Sequence, residues 1–270
     1  MSHVRFLSPF LLLAAVFVLF QFATPAAAQN WPMANGNAAR TSCCTADSPQ
    51  PPLRPAAQGL LSLNNAQVCS YADGVLYVAT SGEPNTLVAM SATSGTVLWT
   101  FDVPGTRASM SHVPAVTDDL VLCSGQHATA LYALNRQDGS VAWSVPMASG
   151  YARHAIIDGN RAYIVTDSLY CIDHTNGAVL WTYAFDAPTT PAVDDNAVYA
   201  VGDRVLIAIE KLTGQELWSV PGDDRYYGQV IPDGDVLYAT NLTTVRAVDK
   251  SDGSDIWNSG SPNVRLLSQL

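Results

Sequence analysis

Five times the chain repeats one phrase: TSGTVLW at residues 93–99, QDGSVAW ending at Trp143, TNGAVLW at Trp181, LTGQELW at Trp218 and SDGSDIW at Trp257. The five tryptophans are spaced 44, 38, 37 and 39 residues apart. Four residues before each stands a glycine: Gly95, Gly139, Gly177, Gly214 and Gly253. Ten residues before each stands a small side chain: Ala89, Ala133, Cys171, Ala208 and Ala247. An acidic turn with a β-rich run precedes these, as DGVLYVAT from 73, DDLVLCSG from 118, DGNRAYIVT from 158, DDNAVYAV from 194 and DGDVLYAT from 233. Fixed offsets recurring with a period near 40 are the mark of a repeat architecture.

Each unit reads as strands, because Val, Ile, Tyr, Leu and Ala fill its runs and turn residues interrupt them. In residues 108–147, PAVTD is a first strand, LVLCS a second, ALYALN a third and VAWSVP a fourth. QDG between the last two suits a short hairpin with its Gly in the left-handed region. Four antiparallel strands per unit of about 40 residues predict the blade of a β-propeller. A single blade leaves both faces open, and stacking blades around an axis covers each face with a neighbour. The repeated Trp is then expected to fill the gap between blades, so these five Trp and five Gly are read as blade-docking residues. The expected fold is all-β, with five blades at about 66–104, 108–147, 150–186, 187–222 and 225–259 and a partial sixth at 260–270.

The pattern A-x-x-x-x-[TSD]-G-x-x-x-W resembles the tryptophan-docking motif of the pyrroloquinoline-quinone-like (PQQ-like) propeller family. AIEKLTGQELW at 208–218 and AVDKSDGSDIW at 247–257 are its best copies, and WPMANGNAART at 31–41 looks like the opening phrase of secreted members. No Trp is followed by Asp, so a WD40 propeller fits poorly. The resemblance extends over roughly residues 31–258 and implies two branches of function. Quinoprotein dehydrogenases of the family hold PQQ and calcium at the propeller centre, use an Asp base, and stack the quinone on a disulfide of adjacent cysteines. Non-catalytic members of the BamB type bind other proteins.

The N-terminus suits export. MSHVRF is weakly basic, LLLAAVFVLF is apolar and short for a bilayer span, and ATPAAA supplies small residues before Gln29. Residues 1–28 are therefore expected to be a signal peptide, with a secreted or periplasmic mature chain that has no transmembrane segment; no Cys placed for lipid attachment follows the apolar run. Losing Arg5 with this leader takes the basic count from 13 to 12 against 23 acids, a net charge of −11. Such a surface disfavours nucleic acid. Residues 29–65 read as a Pro-rich lead-in, with LLSLN at 60–64 a strand that could close the ring. The alternative expectation, favoured because an open ring would expose an unpaired edge, is that the chain is a fragment of a larger propeller.

Residues with catalytic potential are few. Cys43-Cys44 resembles the dehydrogenases' cysteine pair but lies in the lead-in rather than in a blade. Cys69, Cys123 and Cys171 fall in apolar runs, where buried free thiols are expected. The paired acids Asp118-Asp119 and Asp194-Asp195 sit at the repeated turn, where their side chains cap their own backbone. His112, His127, His154 and His174 share no metal-ligand spacing, and neither GxSxG nor a P-loop occurs. Asn241-Leu-Thr forms a glycosylation sequon. No catalytic residue, cofactor or metal site is assigned, and the expected function is a non-catalytic protein-binding scaffold of the BamB type. The alternatives are a fragment of a PQQ-dependent quinoprotein dehydrogenase, and a structural propeller attached to a functional C-terminal domain that is not in this sequence.

A binding surface is expected in the links that follow each Trp. Arg107, Arg153, Arg225 and Arg265 recur seven to ten residues past a Trp, accompanied by His112, Tyr151, His154, Tyr226 and Tyr227. These residues form the candidate partner-binding rim, suited to acidic or aromatic peptide segments.

Overall fold

The computed structural model describes residues 66–81, 85–104, 112–125, 130–147, 154–185, 189–202, 204–221, 228–240 and 244–259. The described residues form five antiparallel sheets of four strands, each in simple up-and-down order. The first blade contains β1 (Ala66–Ala72), β2 (Val75–Thr80), β3 (Thr86–Ser91) and β4 (Val97–Asp102). The second contains β5 (Ala115–Val116), β6 (Leu120–Cys123), β7 (Ala130–Asn135) and β8 (Val141–Pro146). The third is β9 (Ile156–Asp158), β10 (Arg161–Val165), β11 (Leu169–Asp173) and β12 (Ala178–Tyr183). The fourth is β13 (Ala192–Val193), β14 (Ala197–Gly202), β15 (Val205–Glu210) and β16 (Glu216–Pro221). The fifth is β17 (Val230–Asp233), β18 (Val236–Thr240), β19 (Val245–Asp249) and β20 (Asp255–Asn258).

First strands carry the succession of blades: β1 packs on β5, β5 on β9, β9 on β13, and β13 with β14 on β17. These are the inner strands of a propeller arc, and the fourth strands form its outer edge. Middle strands are covered on both faces by neighbouring blades, which explains why β14, AVYAVG, is buried along its whole length. Outer strands face solvent on one side, and β16 reads exposed, exposed, buried, exposed. The hydrophobic core consequently lies between blades. One cluster joins blades one and two, a large one joins two, three and four, and another joins four and five.

The third and fourth strands meet with the same register in every blade. Ala89 faces Trp99, Ala133 faces Trp143, Cys171 faces Trp181, Ala208 faces Trp218 and Ala247 faces Trp257. Immediately beyond each pair the register shifts by one residue. The residue before each Trp is the extra one of this β-bulge, and it is left out of the ladder. That accounts for the exposed apolar side chains Leu98, Leu180, Leu217 and Ile256. The intervening turns place all five repeat glycines at φ between 70° and 79°.

Candidate functional site

The repeated Trp stands at the centre of a joint between blades. Across three strands of the first blade runs a row Tyr77–Ala89–Trp99. The small middle residue lets the outer rings meet over it, with centroids 5.9 Å apart. The same row recurs as Tyr163–Cys171–Trp181 at 5.9 Å, Tyr199–Ala208–Trp218 at 6.4 Å and Tyr238–Ala247–Trp257 at 6.1 Å. Blade two has Leu122 in place of the tyrosine.

Each of the first four Trp then reaches the next blade. Its indole N–H donates to a backbone carbonyl there: Trp99 to Arg136 at 2.8 Å, Trp143 to His174 at 3.0 Å, Trp181 to Lys211 at 3.1 Å and Trp218 to Lys250 at 2.8 Å. The ring lies on that blade's repeat glycine. A Cβ built on Gly139 would come within 2.6 Å of Trp99, and one on Gly214 or Gly253 within 2.7 Å of Trp181 or Trp218. The glycine is thus required twice, by its left-handed backbone and by the ring against it. Trp99, Trp181 and Trp218 are 7, 9 and 8% exposed, Trp143 is half-buried, and Trp257 is 46% exposed. Trp257 therefore differs from the expectation that every copy fills a gap, because no described blade follows the fifth.

A polar clamp accompanies three of these joints. The residue seven before the Trp is Arg136, Lys211 or Lys250, and its side chain reaches back to the first acid of the preceding blade's acidic turn. Arg136 pairs with Asp73 at 3.1 Å, Lys211 with Asp158 at 2.7 Å and Lys250 with Asp194 at 2.5 Å. Arg136 also donates to the Tyr77 hydroxyl at 3.0 Å, and its guanidinium lies over that ring. Burial pulls the Asp194 carboxyl upward, but the Lys250 ammonium and the amides of Asn196 and Ala197 outweigh it and hold the group below the usual carboxylate range. The sequence assigned Asp194 only to its own turn; it does accept from those amides, at 2.9 and 3.0 Å, and joins two blades as well. At the second joint the corresponding residue is His174, whose ring instead contacts the carbonyl of Gly159 in its own blade at 3.0 Å. Sequence reasoning missed these cations, although the constant offset of seven residues was there to be read.

Of the candidate rim, Arg107, Tyr151, Arg153, Arg225, Tyr226, Tyr227 and Arg265 lie outside the described residues, as do Cys43, Cys44, His127 and Asn241. His112 and His154 are described, and the structure brings them together. They precede β5 and β9, the inner strands of adjacent blades, and their rings meet edge to face with centroids 5.3 Å apart. The Val113 N–H donates to His154 Nδ1 at 2.7 Å. His112 is buried. The described residues just ahead of β5 and β9 thus touch on one side of the arc.

The donor set of the inner strands does not suit a quinone–calcium centre. Those strands read AQVCSYA, AV, IID, AV and VIPD, with carboxylates only at their last residues, and Asp158 is taken up by Lys211. Among the described residues no three His, Cys, Asp or Glu side chains group as metal ligands. Burial pushes the Cys123 thiol up to about 12 and that of Cys171 to about 11, so both stay protonated and unreactive. Cys69 departs from the expected burial and is exposed. It alternates with buried Ser70 along β1, and so falls on the open side of that strand.

Comparison with known proteins bears on the fold and on the functional class. The family model for outer membrane protein assembly factor BamB matches residues 127–264, just over half of the chain. The chain belongs to this PQQ-repeat, BamB-type propeller family. It is 29% identical over 202 residues to outer membrane protein assembly factor BamB of Yersinia pestis, covering 63% of this chain and 50% of that one. It is 23% identical over 207 residues to tetrathionate hydrolase of Acidianus ambivalens, covering 70% of this chain and 35% of that one. The chain thus spans half or less of the length of these curated relatives. Among solved structures it is similar to BamB from Moraxella catarrhalis, with a TM-score of 0.58, 20% identity, and coverage of 71% of this chain and 62% of the other. Quinohemoprotein alcohol dehydrogenase from Comamonas testosteroni gives a TM-score of 0.63 at 14% identity, covering 88% and 50%. At such identities the structural likeness speaks to the propeller fold alone. Among the described residues no helix is long and apolar enough to cross a membrane.

Proposed function

We propose that the protein is an exported, non-catalytic β-propeller that binds protein or peptide segments, in the manner implied by the assembly-factor name of its BamB relatives. One observation carries this reading: the charged side chains that recur with the repeat are used between blades. Arg136, Lys211 and Lys250 are committed to Asp73, Asp158 and Asp194. Recognition would then fall on the side of the arc where successive links enter the inner strands, where His112 and His154 meet. Arg107, Arg153, Arg225 and Arg265, with Tyr151, Tyr226 and Tyr227, belong to the same links in sequence and would supply cations and rings for acidic or aromatic segments. Residues 1–28 would direct export, so the mature N-terminus is expected at Gln29, in a secreted or periplasmic protein. The test is affinity capture from solubilised cell envelopes with the wild-type chain and with Arg107→Glu, Arg153→Glu and Arg225→Glu combined. An unchanged set of captured proteins at unchanged yield rules out the rim.

A second reading, part of a redox or hydrolytic enzyme, draws on the tetrathionate hydrolase similarity and on the adjacent Cys43 and Cys44. Titration with PQQ and calcium separates the two. A quinone absorbance shift accompanied by dye reduction favours the enzyme, and the scaffold gives neither.

A further inference from the structure

Blades two and three are tied together just ahead of their inner strands by two imidazoles that the repeat does not use. His112 stands shortly before β5, and His154 shortly before β9. Their rings meet at 78° with centroids 5.3 Å apart, His112 buried and His154 half-buried. The Val113 N–H donates to His154 Nδ1 at 2.7 Å, so a backbone amide leading into one blade depends on a ring nitrogen of the next. A ring nitrogen accepts only while it carries no proton, and this bond therefore requires a neutral His154 with its proton on Nε2. The indole bonds of the joints end instead on backbone carbonyls, which take up no proton near neutrality.

We propose that His112 and His154 form an acid-sensitive latch between blades two and three, closed while His154 is neutral and released when it takes up a proton. An imidazole changes charge between about pH 8 and 5, so the latch works within that range. Protonation turns Nδ1 from an acceptor into a donor. The Val113 amide then faces an N–H, and a cation arises against the buried His112 ring; both changes disfavour the closed contact. The sign follows from this: the latch holds at neutral pH and is lost as pH falls. The surrounding strands bring few charges to it. Cys123 ends β6, which pairs with β5, and burial keeps its thiol protonated. Asp167 follows β10, which pairs with β9, and its carboxylate accepts from the Thr166 hydroxyl at 2.7 Å. Asp158, at the far end of β9, is held by Lys211. β1, against β5, carries Cys69 and Tyr71, and β13, against β9, carries no titratable side chain. Arg107, His127 and Arg153 lie outside the described residues.

The latch is read on the free chain, so it holds or fails separately from peptide binding at the rim. The chain from Gln29 is labelled for NMR and titrated from pH 8 to 5, with the two rings assigned through His112→Phe and His154→Gln. The Val113 amide resonance should move with the midpoint of the His154 ring. Its exchange with solvent, corrected for the pH dependence of the intrinsic rate, should quicken about tenfold across that transition. The Trp143 indole N–H joins the same two blades through a carbonyl and should stay in place. His112→Phe keeps an edge-to-face contact, and Asp167→Asn removes the neighbouring carboxylate; both should retain the transition, and His154→Gln should abolish it. A Val113 amide that stays put while His154 titrates overturns the latch, and so does a His154 ring that takes up no proton between pH 8 and 5. A transition that survives His154→Gln, or vanishes in His112→Phe or Asp167→Asn, overturns it too, because the titrating group then lies elsewhere. Should His154→Gln fail to fold, the wild-type titration and the other two variants still decide.

Discussion

The joint between blades four and five and the joint between blades two and three are built from the same repeat, yet they differ in three of their parts. In the first, Trp218 is buried, Tyr199 stands beside it, and Lys250 bridges to Asp194 while its ammonium lies over the Tyr199 ring. In the second, Trp143 is half-buried, Leu122 replaces the tyrosine, and His174 turns to its own blade and leaves the clamp unmade. What the two share is the Trp ring on a left-handed Gly and the indole N–H on a carbonyl. The shared part is apolar contact with one oriented hydrogen bond, and it suffices to join blades. The ion pair and the tyrosine are additions that the fold tolerates losing.

The largest test of this comparison is truncation of the rings. Trp218→Ala should cost about 3–5 kcal/mol, in the range of fully buried aromatics, and Trp143→Ala about 2–3 kcal/mol. Trp257→Ala, on the open face, should cost less than about 1 kcal/mol. Equal losses for all three in urea unfolding would mean that the rings stabilise their own blades rather than the joints.

Next comes the glycine. Gly253→Ala combines left-handed strain with a clash against Trp218 and should cost about 2–4 kcal/mol. Gly159 also has positive φ, at 54°, but has open space where its Cβ would stand. Gly159→Ala should therefore lose only about 1 kcal/mol, the backbone part alone. Thermal melts of the pair separate strain from contact.

The clamp is smaller. Lys250→Ala should cost about 1–2 kcal/mol, between the values for exposed and buried pairs. Its pH dependence follows from the depressed Asp194 carboxyl. A group with a lowered folded-state pKa stabilises above its unfolded value, near pH 4, and that contribution fades as pH falls through the folded value. The stability gap between wild type and Asp194→Asn should therefore be full at neutral pH and shrink below about pH 4; a constant gap would exclude the ionised pair as its source.

The smallest expected effect is a gain. His174→Lys would give the second joint the cation it lacks, facing Asp118 as Lys250 faces Asp194, and should add about 0.5–1 kcal/mol. No gain would mean that blade geometry, rather than residue choice, leaves that clamp open.

The fold was legible because its signal is repeated. A single Gly-x-x-x-Trp could serve many turns, whereas five copies at fixed offsets point to stacked units, and five four-stranded sheets are what the chain forms. The role of the small residue was only partly legible. Its constant place ten residues before each Trp was there to be read, but that it lies between Tyr and Trp of its own blade follows only from the strand pairing. The clamps were less legible still. Arg136, Lys211 and Lys250 recur at a constant distance from Trp, but the partner of each is 53 to 63 residues away, and no local spacing encodes which blade a side chain will meet. The rim residues, apart from His112 and His154, fall in unrepeated links, where periodicity has nothing to say.

The bulge beside each Trp bears on how the chain finds its fold. Because side chains alternate along a strand, one extra residue exchanges the faces of everything beyond it, so a third strand pairs productively only with a fourth strand that carries the same insertion. All five fourth strands carry it at the same place. The bulge thus excludes slipped pairings within a blade but does not distinguish one blade's outer strand from another's. During folding that choice falls to chain proximity, since the five-residue turns at Gly95, Gly139, Gly177, Gly214 and Gly253 close faster than any longer loop. Lengthening one of those turns would make that blade the first to exchange strands with its neighbour.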